Sequence, residues 1–333
     1  MDYRTESPEV LRSFLNYHET IKGHSQATID EYFLDLRNFF RFLKIERGIV
    51  PRKTELDDIS IMDVDVAFVG AVTLSEVYAY LTFLARDRVK HENSRSPRYG
   101  LSAASRARKV AVIRSFYKYL TVKAKLLKDN PVADLDSPKL PKSLPRYLSL
   151  EESQRLLSAV DGANMERDYC ILTLFLNCGL RISELVGLNV ADIAADHIRI
   201  MGKGGKERVV YLNDACVQAI NAYIPARRMM APRDCPAMFV SNRKKRISCD
   251  SVQIMVKKNL LKAGLDASKY SPHKLRHTAA TLMLQNGVDV RTLQEVLGHE
   301  HLNTTQIYTH VDNSELRIAA AANPLGSFST KKK

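Results

Sequence analysis

The sequence predicts a mainly α-helical protein with a small β-sheet, divided into an N-terminal four-helix domain and a C-terminal α+β domain. Three observations support this fold class. The first 130 residues contain four stretches with apolar side chains at helical spacing. A stretch with four prolines follows at 129–148. Beyond it, helical stretches flank two short β-type runs separated by glycines. At 333 residues, the chain is long enough to form two cores.

Four amphipathic helices are predicted in the N-terminal half. The clearest repeats apolar residues at i, i+3 and i+4 from Ile29 to Leu43, and weaker repeats run from Val10 to Leu15 and from Leu74 to Leu84. The fourth covers about 102–127. Four such helices can bury one shared core as a small bundle.

The fourth predicted helix also has a cationic face, and a loop with two arginines precedes it. Most such faces are only solvated surface, and contact with nucleic-acid phosphates is the alternative interpretation. The candidate DNA-contacting side chains are Arg95, Arg98, Arg106, Lys109, Arg114 and Lys118.

The proline-containing stretch predicts a domain boundary, because prolines at that density exclude a helix and favour an extended, stiff connector. We therefore expect domains at 1–130 and 149–333, joined by a linker at 131–148. A new helix is predicted to open at Ser149, since Glu152 lies three residues on and completes a capping box.

The second domain mixes helices with a β-hairpin. An apolar helical run at 171–178 stops at Gly179, a residue typical of helix C-termini. Two β-type runs, at 197–200 and 208–212, flank the glycine-rich turn at 202–206, which is a hairpin signal. Further helices are predicted at 213–228, 251–264, 273–287 and 289–297.

Charge and composition restrict the partners and the compartment. The net charge of +13 favours a polyanionic partner, although a merely basic, soluble surface is the alternative. The chain has no run of about 18 apolar residues and no basic-then-apolar signal at its start. Its five cysteines are odd in number and lack CxxC spacing. We therefore expect a cytoplasmic protein with reduced thiols and no membrane contact.

Five of the nine histidines lie between positions 273 and 310, beside an arginine and a tyrosine. Ser271 and Pro272 suggest an N-cap and a first-turn proline, which puts His273 in the opening turn of a helix, where anions are favoured. Arg276 follows on the same face and could grip a phosphate with two parallel N–H groups. An ordinary surface histidine and arginine would give the same local pattern.

Two later residues of this window could also carry chemistry. Tyr308 is a poor nucleophile unless nearby cations lower its pKa or a base takes its proton. His299 follows a glycine and could equally be structural. The pair of His299 and His301 admits a metal site, but no neighbouring cysteine or carboxylate completes a ligand set, so we expect no metal.

Two upstream features could complete the same pocket. Arg181 lies where one predicted helix ends and another begins, with Glu184 placed to orient it or to cap the helix. The hairpin turn supplies Lys203 and Lys206, which the residues alone do not distinguish, and turn lysines are usually just exposed.

Taken together, these stretches resemble the tyrosine recombinase (phage integrase) family, and within it the Xer type. Four motifs carry the resemblance, in the family's order: GLRISELVGL at 179–188, GKGGKERVVYL at 202–212, HKLRHTAATLML at 273–284 and LGHEHLNTTQIYTHV at 297–311. It covers 149–322 and extends more loosely to the helical half, which resembles the core-binding (SAM-like) domain that clamps DNA. Extra residues around 46–72 and 90–100 depart from the compact Xer pattern.

The resemblance implies a role for each candidate residue. Tyr308 would attack the scissile phosphodiester and form a 3′-phosphotyrosyl link, while Arg181 and Arg276 hold the non-bridging oxygens. His273 would exchange protons with the nucleophile and His299 would donate to the phosphate. By alignment, Lys203 rather than Lys206 would protonate the leaving 5′-oxygen, and Glu184 would support Arg181. No cofactor is implied, because one phosphoester replaces another.

The resemblance also implies partners: double-stranded DNA with short inverted-repeat sites, and a homo-tetramer or a hetero-tetramer with a related recombinase. The C-terminal tail after Tyr308 would dock on a neighbouring subunit, or pack on its own domain as the alternative. Two other functions remain as alternatives, namely a type IB topoisomerase-like enzyme that nicks and reseals DNA, and a catalytically inactive architectural DNA-binding protein.

Overall fold

The computed structural model describes residues 3–90, 98–139, 146–202, 207–298, 318 and 321–326. The chain divides into two compact units, Met1–Ser143 and Leu144–Lys333, so the division falls inside the proline-containing stretch. Most described residues are helical, and each unit has one two-stranded antiparallel sheet. The predicted fold class is therefore confirmed. None of the helices in the described ranges combines the length and apolar character that a membrane crossing requires.

The first unit packs its helices around an aromatic core. Its helices are α1 (Tyr3–Glu6), α2 (Glu9–Asn16), α3 (Gln26–Glu46), α4 (Val66–Gly70), α5 (Leu74–Arg86) and α6 (Ala103–Lys118). The four predicted helices correspond to α2, α3, α5 and α6. A π-helical turn, Tyr119–Lys123, extends α6, so this helix ends before the predicted limit at 127. The pair β1 (Val89–Lys90) and β2 (Arg98–Tyr99) precedes α6.

Two basic residues of α3 and Arg47, which directly follows it, bind the segment between α3 and α5 and the first turn of α5. Arg41 donates from Nε to the carbonyl oxygen of Ile59 at 2.8 Å. Lys44 donates to the carbonyl oxygen of Ser60 at 2.8 Å. Arg47 donates from Nε and Nη2 to the two carboxylate oxygens of Glu76. These three cations are bound inside the unit, so they do not contribute to a free basic surface.

The second unit surrounds one buried helix, α8, which packs against α10 and α12. Its helices are α7 (Leu150–Ser158), α8 (Met165–Cys178), α9 (Ile182–Gly187), α10 (Asp214–Met230), α11 (Cys249–Lys262), α12 (Pro272–Gln285) and α13 (Val290–Leu297). Every side chain of α8 from Cys170 to Cys178 is buried, because this helix is apolar on nearly all sides. The predicted capping box of Ser149 and Glu152 opens α7.

The predicted hairpin is present as β3 (His197–Met201) and β4 (Glu207–Tyr211), which pair in antiparallel register from His197 opposite Tyr211 to Met201 opposite Glu207. Ile198, Ile200 and Val210 are buried and attach the hairpin to the core of the second unit. The paired strands of the hairpin are therefore fixed to this core.

A short segment of the C-terminal tail packs on its own unit. Asn323 donates from Nδ2 to the carbonyl oxygen of Leu176 at 2.9 Å, and Leu325 is fully buried in the core. The backbone N–H of Ala215 donates to the carbonyl oxygen of Gly326 at 2.8 Å. In the single chain, residues 323–326 thus pack on their own domain, which was the alternative to docking on a neighbouring subunit.

Candidate active site

Arg276 lies on α12 with its guanidinium held by two backbone carbonyls. Nη1 donates to the carbonyl oxygen of Gly179 at 2.7 Å, and Nη2 donates to that of Leu297 at 2.6 Å. These carbonyls belong to the C-terminal ends of α8 and α13, which carry the negative ends of the helix dipoles. The residue is only 5% exposed. As predicted, Pro272 lies in the first turn of α12, but the side chain of Ser271 makes no capping hydrogen bond.

Glycines in the left-handed conformation end α8 and α13, the two helices whose C-terminal carbonyls bind the arginine guanidiniums. Gly179 ends α8 with φ 60° and Gly298 ends α13 with φ 66°. This conformation turns the chain out of the helix without a steric penalty only when no Cβ is present. The carbonyl oxygen of Gly298 then accepts from Nη2 of Arg181 at 3.0 Å. Two arginines far apart in sequence are thereby held by the neighbouring carbonyls of Leu297 and Gly298.

Arg181 occupies the N-cap position of α9 and is bound to Glu184 in the first turn of the same helix. Its Nη1 donates to Oε1 of Glu184 at 2.7 Å, and its backbone N–H donates to Oε2 at 2.8 Å. The side chain of Arg181 is 40% exposed, whereas that of Arg276 is 6% exposed. Arg181 is therefore the guanidinium that an incoming anion can reach first.

Arg208, on β4, completes the cluster and was not among the residues predicted from sequence. Its Nη1 and Nη2 each donate to one carboxylate oxygen of Glu184, both at 2.9 Å. A signal for it exists in the sequence. Arg208 lies two residues before the buried Val210, and alternate residues of a strand face the same side, so this arginine points inward and needs an acidic partner.

The charges in this cluster do not cancel. Burial alone would raise the pKa of Glu184, but the hydrogen bonds from Arg208 and Arg181 lower it to about 2. Burial lowers the pKa of Arg276 to about 10, and the charges of Arg181 and Arg208 act in the same direction. Three guanidiniums face one carboxylate among the described residues, which leaves two positive charges. Such a site favours an anion such as a phosphate.

His273 is exposed at the second position of α12, one turn before Arg276. It therefore lies on the same side of the helix as the arginine. Lys203, Lys206, His299 and Tyr308 lie outside the described residues. Of the predicted catalytic set, the structure thus brings together Arg181, Arg276 and the supporting Glu184, with His273 close by on α12.

The predicted DNA-contacting residues of α6 divide into exposed and buried side chains. Arg114 and Lys118 are exposed and Arg106 is half-buried. Lys109 is not the exposed cation that the sequence pattern predicts, because it is 9% exposed and its ammonium binds the buried carboxylate of Asp35 at 2.5 Å. The buried face of α6 is wider than the sequence pattern suggested and includes Lys109. Arg95 and the side chain of Arg98 lie outside the described residues.

Comparison with known proteins identifies the family. The model of the phage integrase family matches residues 146–315. The tyrosine recombinase XerC of Caldanaerobacter subterraneus subsp. tengcongensis is 52% identical over 319 residues, which cover 96% of this chain and 87% of the relative. The tyrosine recombinase XerC of Psychromonas ingrahamii is 41% identical and covers 95% of this chain and 96% of its own.

A solved structure shares the fold. The XerH site-specific recombinase bound to a palindromic difH substrate, in a post-cleavage complex, matches with a TM-score of 0.61. The two chains are 22% identical, and the match covers 93% of this chain and 84% of the other. From the family match and these relatives, the chain belongs to the phage integrase family, among its Xer-like tyrosine recombinases, enzymes that cleave and rejoin DNA in site-specific recombination.

Proposed function

We propose that this recombinase breaks DNA through a 3′-phosphotyrosyl intermediate, with Tyr308 as the nucleophile and the arginine cluster as the phosphate-binding site. One observation carries the proposal: Arg181 and Arg276 are held on the adjacent carbonyls of Gly298 and Leu297, with Glu184 between them. In the proposed complex, the N–H groups of the two guanidiniums that these bonds do not use would bind one phosphate.

In the proposed reaction, the phenol oxygen of Tyr308 attacks the phosphorus while the bond to the 5′-oxygen breaks. The phenol proton passes to His273, and Lys203 supplies the proton that the leaving 5′-oxygen takes up. Arg181 and Arg276 stabilise the charge on the non-bridging oxygens, to which His299 also donates. Preorganised donors of this kind contribute most where charge develops in the transition state.

Strand exchange reverses the same step. The free 5′-hydroxyl of a partner duplex attacks the phosphotyrosyl bond, and the phenolate of Tyr308 leaves. Because one phosphoester replaces another, the reaction conserves bond energy and requires no nucleotide hydrolysis. The proposed partner is double-stranded DNA with short inverted repeats, bound by four recombinase subunits, either identical or of two related types. Chromosome-dimer resolution in the cytoplasm and movement of a mobile element both fit this chemistry.

We further propose that the first unit contacts DNA through the exposed face of α6, where Arg114 and Lys118 are solvent-accessible. The second unit would then present the arginine cluster to the scissile phosphate. In the assembled complex the C-terminal tail would leave its own unit and dock on a neighbour. The stretch 131–148 would be the connector between the two DNA-binding units.

A suicide substrate with a nick beside the cleavage position tests the nucleophile. The short fragment diffuses away after cleavage, so the covalent protein–DNA adduct accumulates and is counted on a denaturing gel. Wild-type protein is expected to form the adduct, and the Tyr308→Phe variant is expected to bind the same DNA without forming it. An adduct of undiminished yield in Tyr308→Phe would assign the attack to another residue.

A second assay separates recombination from nicking and resealing. Two duplexes of different length, each with one site, are incubated with the protein. Recombinant products of new length are expected. Relaxation of a supercoiled plasmid without any recombinant product would instead indicate a topoisomerase-like enzyme.

A further inference from the structure

We propose that Arg208 is a positioning residue of the reaction: it fixes the carboxylate of Glu184 so that Arg276 stays available to the phosphate. The inference rests on the proposed function of the arginine cluster and assigns a role to a residue outside the catalytic set. Arg208 acts through Glu184, and it does not itself contact the reacting atoms.

The geometry of the contact is specific for arginine. The two parallel N–H groups of Arg208 meet the two oxygens of Glu184, both at 2.9 Å, which fixes the plane of the carboxylate. A lysine could bind only one of these oxygens at a time. The side chain of Glu184 is 4% exposed, so water does not substitute for these donors.

Gly298 provides the space in which Arg208 lies. A Cβ atom at this position would lie 3.1 Å from Cδ and Nε of Arg208 and 3.2 Å from Cζ. The carbonyl oxygen of the same glycine accepts a hydrogen bond from Nη2 of Arg181. Arg208 is therefore packed between the end of α13, whose carbonyls bind Arg181 and Arg276, and the start of α9, where Arg181 lies.

Beyond Arg181 and Arg208, a third cation lies near the carboxylate of Glu184. Nη1 of Arg276 lies 3.9 Å from Oε2 of Glu184, beyond hydrogen-bonding distance. Without Arg208, two of the hydrogen bonds to the buried carboxylate would be lost, and a buried carboxylate seeks a replacement donor. Arg276 is the nearest described candidate. A direct bond between Glu184 and Arg276 would divert part of the charge that should face the phosphate.

Arg208 also joins the hairpin to the arginine cluster. It lies on β4, directly after the turn that contains Lys203, the proposed acid for the leaving oxygen. The contact between Arg208 and Glu184 links this strand to α9 and hence to Arg181. The link would keep the base of the hairpin in register with the phosphate site.

Arg246 provides a matched structural control at the opposite end of α9. Its guanidinium donates to the carbonyl oxygens of Val186 and Leu188 at 2.7 and 2.9 Å, and to the side chain of Asn189 at 2.6 Å. Arg246 thus anchors the same helix without touching Glu184. Replacing Arg246 therefore measures how the loss of an arginine that anchors α9, but does not bind Glu184, affects the cleavage rate.

A double-mutant cycle on the full chain measures the coupling, with single-turnover cleavage of the nicked substrate as the readout. We expect Arg208→Ala to slow cleavage by on the order of 10²-fold. In a Glu184→Gln background, the same substitution should change the rate by less than about twofold, because the two residues act as one unit. Arg208→Lys should recover part of the rate. DNA affinity, measured separately, should change far less than the rate.

Arg246→Ala should behave differently in the same cycle. Its effect on the rate should be the same in the wild-type and Glu184→Gln backgrounds, since it does not act through the carboxylate. If Arg208→Ala slows cleavage by the same factor in the wild-type and Glu184→Gln backgrounds, Arg208 acts independently of Glu184 and the inference is wrong.

A titration that requires no activity separates this inference from the proposed function. Three cations among the described residues face the Glu184 carboxylate: Arg181, Arg208 and Arg276. With ¹³C-labelled glutamate carboxyl groups, NMR should show the pKa of Glu184 raised in Arg208→Ala and unchanged in Arg246→Ala. An unchanged pKa in Arg208→Ala overturns the inference. If wild-type protein forms no adduct, the proposed function fails, and the titration still decides whether Arg208 holds Glu184.

Discussion

Nη1 of Arg276 donates a 2.7 Å hydrogen bond to the carbonyl oxygen of Gly179, the residue that ends α8 in the left-handed conformation. The direction of this carbonyl depends on the backbone of a single residue. A Cβ atom at position 179 would lie 2.6 Å from Cδ2 of the buried Leu297, whose carbonyl holds the other side of the same guanidinium. The position of Arg276 therefore depends on a glycine that makes no side-chain contact of its own.

We predict that Gly179→Ala lowers both stability and cleavage. The left-handed backbone and the clash with Leu297 should together reduce the free energy of unfolding by about 3 kcal/mol. Because both carbonyl acceptors of Arg276 would shift, the cleavage rate should fall even at temperatures where the variant is folded. Thermal unfolding and suicide-substrate cleavage, measured on the same preparation, check the two effects.

Gly264→Ala is the matched control for this prediction. Gly264 has φ 68°, close to that of Gly179, but no atom lies within 4 Å of the position that its Cβ would take. This variant should lose only about 1 kcal/mol, from the backbone term, and should retain the wild-type cleavage rate. Equal losses in the two variants would mean that contact with Leu297 and Arg276 is unimportant.

Arg276→Ala should reduce cleavage by on the order of 10²–10³-fold, the loss expected when one preorganised donor to the transition state is removed. The rate of adduct formation at saturating DNA measures this loss, and filter binding measures affinity. Arg228→Ala, which replaces an exposed arginine on α10, is the control and should leave the rate unchanged. A variant of Arg276 that lost only DNA affinity would have a binding role and no catalytic one.

The site could be predicted from sequence only in part. The motifs around Arg181 and Arg276 identify both arginines, and Glu184 follows from its spacing in the first turn of a helix. The motifs do not reveal that Gly298 and Leu297 present carbonyls to both guanidiniums, because this contact joins three segments distant in sequence. Arg208 was missed for a related reason: its inward direction is visible in the strand pattern, but its partner is not.

The helices and the hairpin were predictable because their apolar spacing is regular over several turns or strand pairs. The environment of charged residues was less predictable. Lys109 follows the pattern of a surface cation on α6, yet Asp35 on α3 offers it a buried partner. Asp35 lies on α3, and the sequence pattern of this helix does not distinguish its buried polar residues from its solvent-exposed ones. Ion pairs between two helices depend on how the helices pack, and the apolar periodicity of one helix does not specify that packing.

Acid should destabilise the first unit through His18. Burial, reinforced by the charges of His24 and Lys22, lowers the pKa of His18 to about 4 from its ordinary 6.5. Since the unfolded chain binds the proton more tightly, stability contributed by neutral His18 is complete above about pH 6.5 and is lost as the pH falls toward 4. We expect a loss on the order of 2 kcal/mol across this range, measured by urea unfolding at each pH.

His18→Phe separates this titration from that of the carboxylates. Phenylalanine should keep the aromatic contact with Phe14, whose ring lies 4.5 Å from that of His18, but it cannot take up a proton. The variant also loses the hydrogen bond between His18 and Ser115, which lowers its free energy of unfolding by a similar amount at every pH. Between pH 6.5 and 4 its unfolding free energy should fall less steeply than that of the wild type. Identical slopes would show that His18 does not carry the effect.

Lys109 and Arg114 lie on the same helix, and we predict opposite consequences for their replacement. Lys109→Ala should destabilise the first unit by about 2 kcal/mol, because it removes one of the two cations in the described ranges that pair with the buried Asp35. Arg114→Ala should leave stability within about 0.5 kcal/mol, since the side chain is exposed. It should instead weaken DNA binding and reduce the slope of log affinity against log salt by about 1, as for one lost phosphate contact.

Urea unfolding and DNA binding at several salt concentrations, measured for both variants, decide between the two roles on α6. A Lys109→Ala protein that keeps its stability but has a shallower salt slope would support the predicted DNA contact of Lys109. A wild-type salt slope in Arg114→Ala would remove Arg114 from it. The expected separation follows from burial: an ammonium bound to Asp35 inside the unit cannot release counterions from a phosphate, whereas an exposed guanidinium can.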